Sequence, residues 1–152
     1  MIVGVVGHER AKFTAETEAE ARRRIRALLS RPGVTGVVSG ACHLGGVDIW
    51  AREIAGELGL PFQEFAPAKR TWAGGYRERN LEIAKASDEV LCVVVAKLPE
   101  GYRGMRFKGC YHCDRERDGV AAHVKSGGCW TVRRALRLGR RGGWVVIECA
   151  FQ

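Results

Sequence analysis

The chain alternates short apolar runs with longer amphipathic segments, and this alternation restricts the fold more than any other feature. Apolar, often β-branched runs predict strands at 2–6, 34–40, 61–67, 89–96 and 143–151. The segments between them predict helices at 14–31, 47–59, 80–88 and 131–139. Strands that alternate with helices pair in parallel, and the helices then cover both faces of the sheet. The pattern predicts a doubly wound α/β domain with a sheet of about five strands.

The length of the chain limits how it is organised. At 152 residues it has the size of one ordinary domain. The connection between the fourth strand and the last helix, 97–126, is too long for a simple loop in such a domain. We therefore expect a single domain, 1–152, with a functional or separately stabilised insertion at 97–126.

The apolar segments also bear on the location of the protein. No apolar run approaches the roughly 20 residues that a membrane-spanning helix needs. The N-terminal segment, MIVGVVGHER, lacks the basic residues that precede the apolar part of a signal peptide. We expect a cytoplasmic protein without membrane contact. In that compartment, six cysteines suggest metal or redox chemistry rather than a set of disulfides.

The first predicted helix carries both an apolar stripe and a start signal. Its apolar residues recur at helical spacing, which predicts a buried face. They are Ala21, Ile25, Leu28 and Leu29. Thr17 and Glu20 have the spacing of a capping box, which predicts the N-terminal turn of this helix.

The chain carries a formal net charge of +8. Such an excess predicts anionic partners, which are phosphates, nucleotides or nucleic acid. Part of the excess has a simpler interpretation, because the first helix contains four arginines that can only partly share a face. These are Arg22, Arg23, Arg24 and Arg26. We expect much of this arginine to be solvated surface.

Glycine-rich loops follow two of the predicted strands and lead into helices. In open parallel sheets, ligands bind beyond the carboxyl ends of the strands. Glycine lets the backbone approach a phosphate, and the N–H groups at a helix start attract anions. Such turns also serve packing alone, but two of them at one edge of a basic protein predict a phosphate site. The candidate residues in these two loops and in the loop after the first strand are Gly7, His8, Ser39, Gly40, Gly45, Gly46, Asp48, Gly127, Gly128 and Thr131.

Cysteine and histidine residues cluster in and beside the insertion. Cys110 and Cys113 have zinc-knuckle spacing, and Cys129 supplies a third sulfur. His123 completes the set better than His112, which is crowded between two cysteines. Coordination would stabilise an insertion too small to build its own core. The spacing predicts a structural zinc site formed by Cys110, Cys113, His123 and Cys129.

Other interpretations of the cysteines stay open. Cys110 and Cys113 could form a thiol–disulfide pair, or they could be unbound thiols. If Cys129 is not a ligand, an open three-ligand site with a bound water becomes a candidate for catalytic zinc. Cys92 and Cys149 lie in apolar strands, which predicts core residues rather than ligands.

The order of these motifs resembles the SLOG superfamily of Rossmann-like domains. That group includes Lonely Guy (LOG) phosphoribohydrolases, YpsA-like proteins and DprA/Smf DNA-processing proteins. The similar elements are VGVVGH, SGACHLGGVD, RERN and GGCWT, and the resemblance covers residues 1–96 and 127–149. It implies a Rossmann-like fold with a nucleotide, or a nucleotide-derived ligand, at the sheet edge. It also implies that the domain can pair through its helices as a homodimer.

Particular residues carry the resemblance at the ligand site. GGCWT is similar to the LOG phosphate turn, with Gly127, Gly128 and Thr131 at the matching positions. Arg79 resembles the arginine of the LOG arginine–lysine pair and is followed here by Asn80. A guanidinium at a helix start suits bidentate phosphate binding, and like charge at the positive end of a helix is otherwise unfavourable. Arg79 and Asn80 therefore join the candidate nucleotide-binding residues.

The sequence departs from LOG enzymes at an acidic position. Arg134 stands where those enzymes carry a glutamate, so hydrolysis by the same carboxylate is not expected. The remaining acidic candidates for catalysis are Glu9, Asp48 and Glu82. Asp48 either binds a ligand hydroxyl or caps its helix. Glu9 either acts as a general base or pairs with an arginine.

Three functions are compatible with these residues. The favoured one is a nucleotide-binding protein, because the phosphate-binding residues are present while the LOG glutamate is not. The second is an enzyme that acts on the N-glycosidic or phosphoribosyl part of a nucleotide. The third is a single-stranded nucleic-acid-binding protein of DprA type. For that function 97–109 offers basic residues interleaved with Tyr102 and Phe107.

Overall fold

The computed structural model describes residues 1–104 and 127–148. In these ranges the strands are β1 (Ile2–Gly7), β2 (Gly36–Gly40), β3 (Phe62–Phe65), β4 (Glu89–Val95) and β5 (Arg141–Ile147). The α-helices are α1 (Ala15–Leu29), α2 (Val47–Glu57), α3 (Arg77–Ala86) and α4 (Gly127–Arg137). A 3-10 turn (Arg10–Lys12) precedes α1, and a π-helical turn (Trp72–Tyr76) leads into α3. None of these helices is long and apolar enough to cross a membrane.

The five described strands form one parallel sheet in the order β3-β2-β1-β4-β5. From β1 the chain moves outward to β3, and it then returns to β4 on the other side of β1. The carboxyl ends of β1 and β4 therefore flank the point where the winding direction reverses, which is where such sheets bind ligands. The predicted doubly wound α/β fold, which is Rossmann-like, is confirmed.

Two helical layers bury the sheet. Helices α1 and α2 pack on one face, and α3 and α4 pack on the other. The predicted stripe of α1 is confirmed, since Ala21, Ile25 and Leu29 are buried in the first layer with Leu28 packed beside them. Cys92 is 1% exposed in the second layer, as expected for a core residue.

The capping box of α1 differs from the prediction. Thr14 is the N-cap, and its hydroxyl accepts a hydrogen bond from the Thr17 N–H at 3.1 Å. The Thr14 N–H donates in return to the Thr17 hydroxyl at 2.8 Å. The predicted box of Thr17 and Glu20 is therefore wrong by one turn. Glu20 instead accepts hydrogen bonds from Arg23.

Helices α3 and α4 begin three and four residues before the predicted positions 80 and 131. Helix α3 starts early because the π-helical turn already winds the chain, with the Tyr76 N–H bonded to the Thr71 carbonyl at 3.0 Å. Helix α4 includes the two glycines that were expected to precede it. Both shifts place helix N-termini at the carboxyl edge of the sheet.

Candidate functional site at the carboxyl edge of the sheet

His8 fixes the loop that follows β1. Its N–H donates to the Val93 carbonyl at 3.1 Å, and its Nδ1 accepts from the Val95 N–H at 3.3 Å. Its carbonyl accepts from the Val47 N–H at 3.2 Å. His8 is 6% exposed. His8, a candidate nucleotide-binding residue, thus links β1, β4 and the first turn of α2.

Gly46 packs against the same loop. Its φ is 93°, a value that favours glycine, and it is the N-cap of α2. A Cβ at this position would lie 2.5 Å from the Arg10 nitrogen and 2.5 Å from the His8 oxygen. The glycines of this turn therefore serve the close approach of two loops. Phosphate binding by Gly45 and Gly46 stays a prediction.

We expect Gly46→Ala to lower the free energy of unfolding by about 2–4 kcal/mol, because alanine resists positive φ and its Cβ meets backbone atoms that cannot rotate away. Urea unfolding would measure the change. Gly56→Ala is the matched control, since Gly56 lies in α2 with open space around its Cβ position. The control should gain about 0.5–1 kcal/mol. Equal effects of the two substitutions would contradict the packing argument.

The carboxyl end of β2 brings Asp48 and Arg79 to one point. A Cβ at Gly40 would lie 2.7 Å from the Asp48 Oδ2 and 2.8 Å from the Arg79 Cζ. Glycine at the end of β2 therefore leaves the space that these two charged groups occupy. Arg79 is oriented by its neighbours, since its Nε donates to the Asn80 Oδ1 at 2.8 Å and its Nη1 donates to the Phe65 carbonyl at 3.4 Å.

Asp48 is a buried carboxyl with an altered acidity. It is 7% exposed, and burial raises its pKa to about 6, although Arg79 and a hydrogen bond with Ser39 act in the opposite direction. The Cys42 backbone also hydrogen-bonds to this carboxyl. The alternative that Asp48 caps its helix is wrong, because Gly46 is the N-cap and α2 has no side-chain cap. A carboxyl of this acidity can take or give a proton near neutral pH.

Ser39 lies beneath this carboxyl and is fully buried. Its hydroxyl is 2.5 Å from the Val5 carbonyl, to which it donates a hydrogen bond. Ser39 therefore links the Asp48 carboxyl to the sheet and connects β2 to β1. Contact of Ser39 with a nucleotide stays a prediction.

Asn80 connects Arg79 to the start of α4. Its Oδ1 accepts from Arg79, and its Nδ2 donates to the Gly127 carbonyl at 3.4 Å. The Thr131 hydroxyl donates to the same carbonyl at 2.6 Å and is buried. Asn80 and Thr131 thus hold the first turn of α4 in place. Direct ligand contact by either residue stays a prediction.

The first turn of α4 lies over the ends of β1 and β4. A Cβ at Gly128 would be 2.7 Å from the Cys92 Sγ and 3.7 Å from the Gly7 Cα. The first N–H groups of a helix lack intrahelical partners and carry partial positive charge. No acidic residue lies in this turn. The turn is therefore suited to an anion at the reversal point of the sheet.

Lys12 is the main residue of this edge that sequence reasoning missed. Its side chain is 1% exposed, and its Nζ lies 2.9 Å from the Glu9 Oε1. The Tyr102 hydroxyl donates to the same oxygen at 2.7 Å, and Lys12 lies 5.2 Å from the Tyr102 ring centre. Glu9 therefore pairs with a lysine rather than an arginine. A lysine three residues after Glu9 was the available signal.

Two other predicted features belong to this part of the chain. The Tyr102 hydroxyl donates to Glu9 and Tyr102 is partly buried against the first layer, while Phe107 lies outside the described residues, so base stacking by 97–109 stays a prediction. Glu82, the third catalytic candidate, is exposed on α3. It is not among the residues that flank Gly40.

The two helical layers differ in charge. Helices α1 and α2 contain five basic and six acidic residues, and three arginines of α1 pair with glutamates. These are Arg22, Arg23 and Arg26. Helices α3 and α4 contain six basic residues and two acidic ones, and α4 has no acidic residue. The positive charge of the described helices is therefore concentrated on the side that carries Arg79.

Only one member of the predicted zinc site can be placed. Cys110, Cys113 and His123 lie outside the described residues, as do His112 and Cys149. Cys129 is buried, and its Sγ accepts a hydrogen bond from the Trp144 Nε1 at 3.4 Å. Within 1–104 and 127–148, no group of three or more His, Cys, Asp or Glu side chains could hold a metal ion. The zinc site stays a prediction.

A groove of about 460 Å³ lies at the β5 side of this edge, between the first turn of α1 and the residues that follow β4 and end β5. Its charged lining includes Glu16, Glu100 and Glu148 against Lys97. An acidic groove is a poor receptor for phosphate. The edge around Arg79 is therefore the better candidate.

Comparisons of the chain with protein-family models, with curated proteins and with solved structures find no match. The resemblance to SLOG domains therefore stays a prediction. The α/β fold stands on the observed sheet order alone.

Proposed function

We propose that the chain binds a nucleotide, or a phosphorylated nucleotide derivative, at the carboxyl edge of the sheet. The observation that carries this proposal is the meeting of Arg79 and Asp48 at Gly40, connected through Asn80 to the start of α4. A guanidinium that can donate to a phosphate and a carboxyl that can accept from a sugar hydroxyl then lie side by side. A sugar phosphate carries both of the groups that these two side chains bind.

The phosphate would be held by Arg79 together with the first N–H groups of α4. A guanidinium has donors in a planar fork that matches phosphate oxygens, and the hydrogen bonds to Asn80 and Phe65 use only part of that fork. Those same bonds, and the Tyr76 ring 5.3 Å away, restrict the orientation of the group. The ligand therefore meets a preorganised cation, which reduces the entropy lost on binding.

Asp48 would bind a sugar hydroxyl. Its carboxyl oxygens accept hydrogen bonds, and a hydroxyl donor would compensate for part of its burial. Its place in the first turn of α2 puts the negative charge at the positive end of that helix. The sugar would then lie between β2 and the phosphate at α4.

We expect Arg79→Gln to weaken the binding of AMP by about 10–100-fold, because a charge-assisted, bidentate contact is lost. Titration calorimetry at low salt would measure both dissociation constants. Arg77→Gln is the matched control, since it removes the same charge from an exposed position of the same helix. Binding of AMP with equal affinity to both variants would contradict the assignment, and so would absence of binding to the wild type.

A second candidate function is hydrolysis of the N-glycosidic bond of a nucleotide. The pKa of Asp48, about 6, favours this candidate because a general base works best near the operating pH. Asp48 would take a proton from water, the water oxygen would bond to C1′, and the bond from C1′ to the base nitrogen would break. The proton would end on the departing base. Chromatography of an AMP incubation would detect adenine and ribose 5-phosphate, and Asp48→Asn should abolish their formation.

A further inference from the structure

We propose that Trp72 and Trp130 form a tryptophan wall that receives the base of the bound nucleotide. The inference rests on the proposed function, and it adds the residues that contact the base of the nucleotide. The two rings lie edge to face, with centroids 5.3 Å apart and an interplanar angle of 84°. This geometry is typical of stable aromatic pairs.

The tryptophan wall stands beside the proposed phosphate position. Trp130 belongs to the first turn of α4, three residues after Gly127. It therefore lies within about one helical turn, roughly 5 Å along the axis, of the N–H groups assigned to phosphate. Trp72 begins the π-helical turn that leads directly into α3, the helix that carries Arg79. The two rings thus border the site on the side of α3 and α4.

Trp72 is exposed, and the turn that carries it is held by a hydrogen bond and by the close packing of Gly75. It is 38% exposed. The Thr71 hydroxyl caps the turn by accepting from the Gly74 N–H at 3.0 Å. Gly75 is buried so close to the Lys69 backbone that a Cβ would overlap it. A large indole exposed to water on a turn that is fixed at these two points is a suitable stacking surface.

Trp130 also contacts Arg134. The Arg134 guanidinium lies 5.0 Å from the Trp130 ring centre, a cation–π contact one turn along α4. Trp50 differs from this pair, because its indole is 3% exposed and packs on Phe13 in the core. Trp50 fills the interior, whereas Trp72 and Trp130 contact each other at the surface.

The test compares AMP with ribose 5-phosphate, which has the same sugar and phosphate but no base. Dissociation constants would be measured by calorimetry for the wild type, Trp72→Ala and Trp72→Phe. Stacking of one base on an aromatic side chain predicts that the wild type binds AMP at least about tenfold more tightly than ribose 5-phosphate. Trp72→Ala should lose most of this preference while its affinity for ribose 5-phosphate is unchanged, and Trp72→Phe should keep part of it.

The control is Trp50→Phe, which should preserve the preference for AMP because Trp50 is on the opposite face of the sheet. Equal binding of the two ligands by the wild type would overturn the tryptophan wall and leave the phosphate site standing. A full preference for AMP in folded Trp72→Ala would overturn it as well. Binding of neither ligand by the wild type would instead overturn the proposed function, and the wall with it.

Discussion

Lys12→Met should lower the free energy of unfolding by about 3 kcal/mol, because it leaves a largely buried carboxylate without its cation. Methionine fills the space of the lysine stem, so the loss is one of charge rather than of packing. The affected carboxylate is Glu9, whose side chain is 13% exposed. For a chain of this size, the melting temperature should fall by about 6–12 °C. Thermal unfolding followed by circular dichroism would measure this.

Two further variants separate charge from other effects. Lys97→Met changes an exposed lysine and should alter stability by less than about 0.5 kcal/mol. The double variant Glu9→Gln/Lys12→Met should recover part of the loss, because a neutral amide needs no cation. If the double variant is as unstable as Lys12→Met alone, the loss does not come from the unpaired carboxylate.

The pH dependence provides an independent check of the same pair. Burial opposes ionisation of Glu9, but Lys12 and Tyr102 outweigh it and hold the pKa of Glu9 below its ordinary value of 4.5. The pair therefore stabilises the protein above pH 4.5, and this contribution is lost as the pH falls through the lowered pKa. In Lys12→Met, burial acts without the lysine, so the deficit should narrow in acid. A deficit that is constant with pH would contradict this account.

Asp48→Asn should raise the free energy of unfolding by about 2–3 kcal/mol above pH 6, the reverse of the usual effect of a core substitution. The pKa of Asp48 is raised from 3.8 to about 6 because the carboxylate is buried. The protonated carboxyl therefore favours the folded state below pH 3.8, and this advantage is lost as the pH rises through about 6. Asparagine is neutral throughout, so its advantage should appear only as the wild type ionises.

Urea unfolding at a series of pH values would follow this difference. It should be near zero at the acid end and reach its plateau above pH 6. Glu82→Gln removes an exposed carboxylate and should change the free energy of unfolding by less than about 0.5 kcal/mol. If Asp48→Asn follows the wild type at every pH, Asp48 is not a destabilised carboxylate. The same variant should bind AMP less tightly, since a group kept at a cost in stability is typical of a functional site.

The fold was predictable because its signals are local. The run EVLCVVV of β4 is buried throughout and apolar after Glu89, and α1 shows its stripe directly in the sequence. The starts of α3 and α4 were not predictable to the residue, because they depend on tertiary contacts. Gly128, in the first turn of α4, lies so close to Cys92 that a side chain would overlap it, and that contact is visible only in the folded chain. Glycine alone indicated a loop.

The candidate site was predictable in its members more than in their roles. Arg79 and Asp48 stood out by chemistry and position, but only the sheet order places both of them at Gly40. Lys12 was missed because its burial depends on Tyr102, which follows β4 and is 90 residues away in the chain. A buried charge depends on partners that converge only in three dimensions, and periodicity carries no information about them.

The unequal charge of the two helical layers makes the electrostatic potential around the helices asymmetric. The excess positive charge of α3 and α4 favours the accumulation of small anions near that layer over the layer of α1 and α2. Electrostatic guidance of this kind acts over about 10 Å at ordinary ionic strength and shortens in more concentrated salt. It affects how quickly a ligand arrives more than how long it stays. The arginines of α4 can thus assist capture without touching the captured molecule.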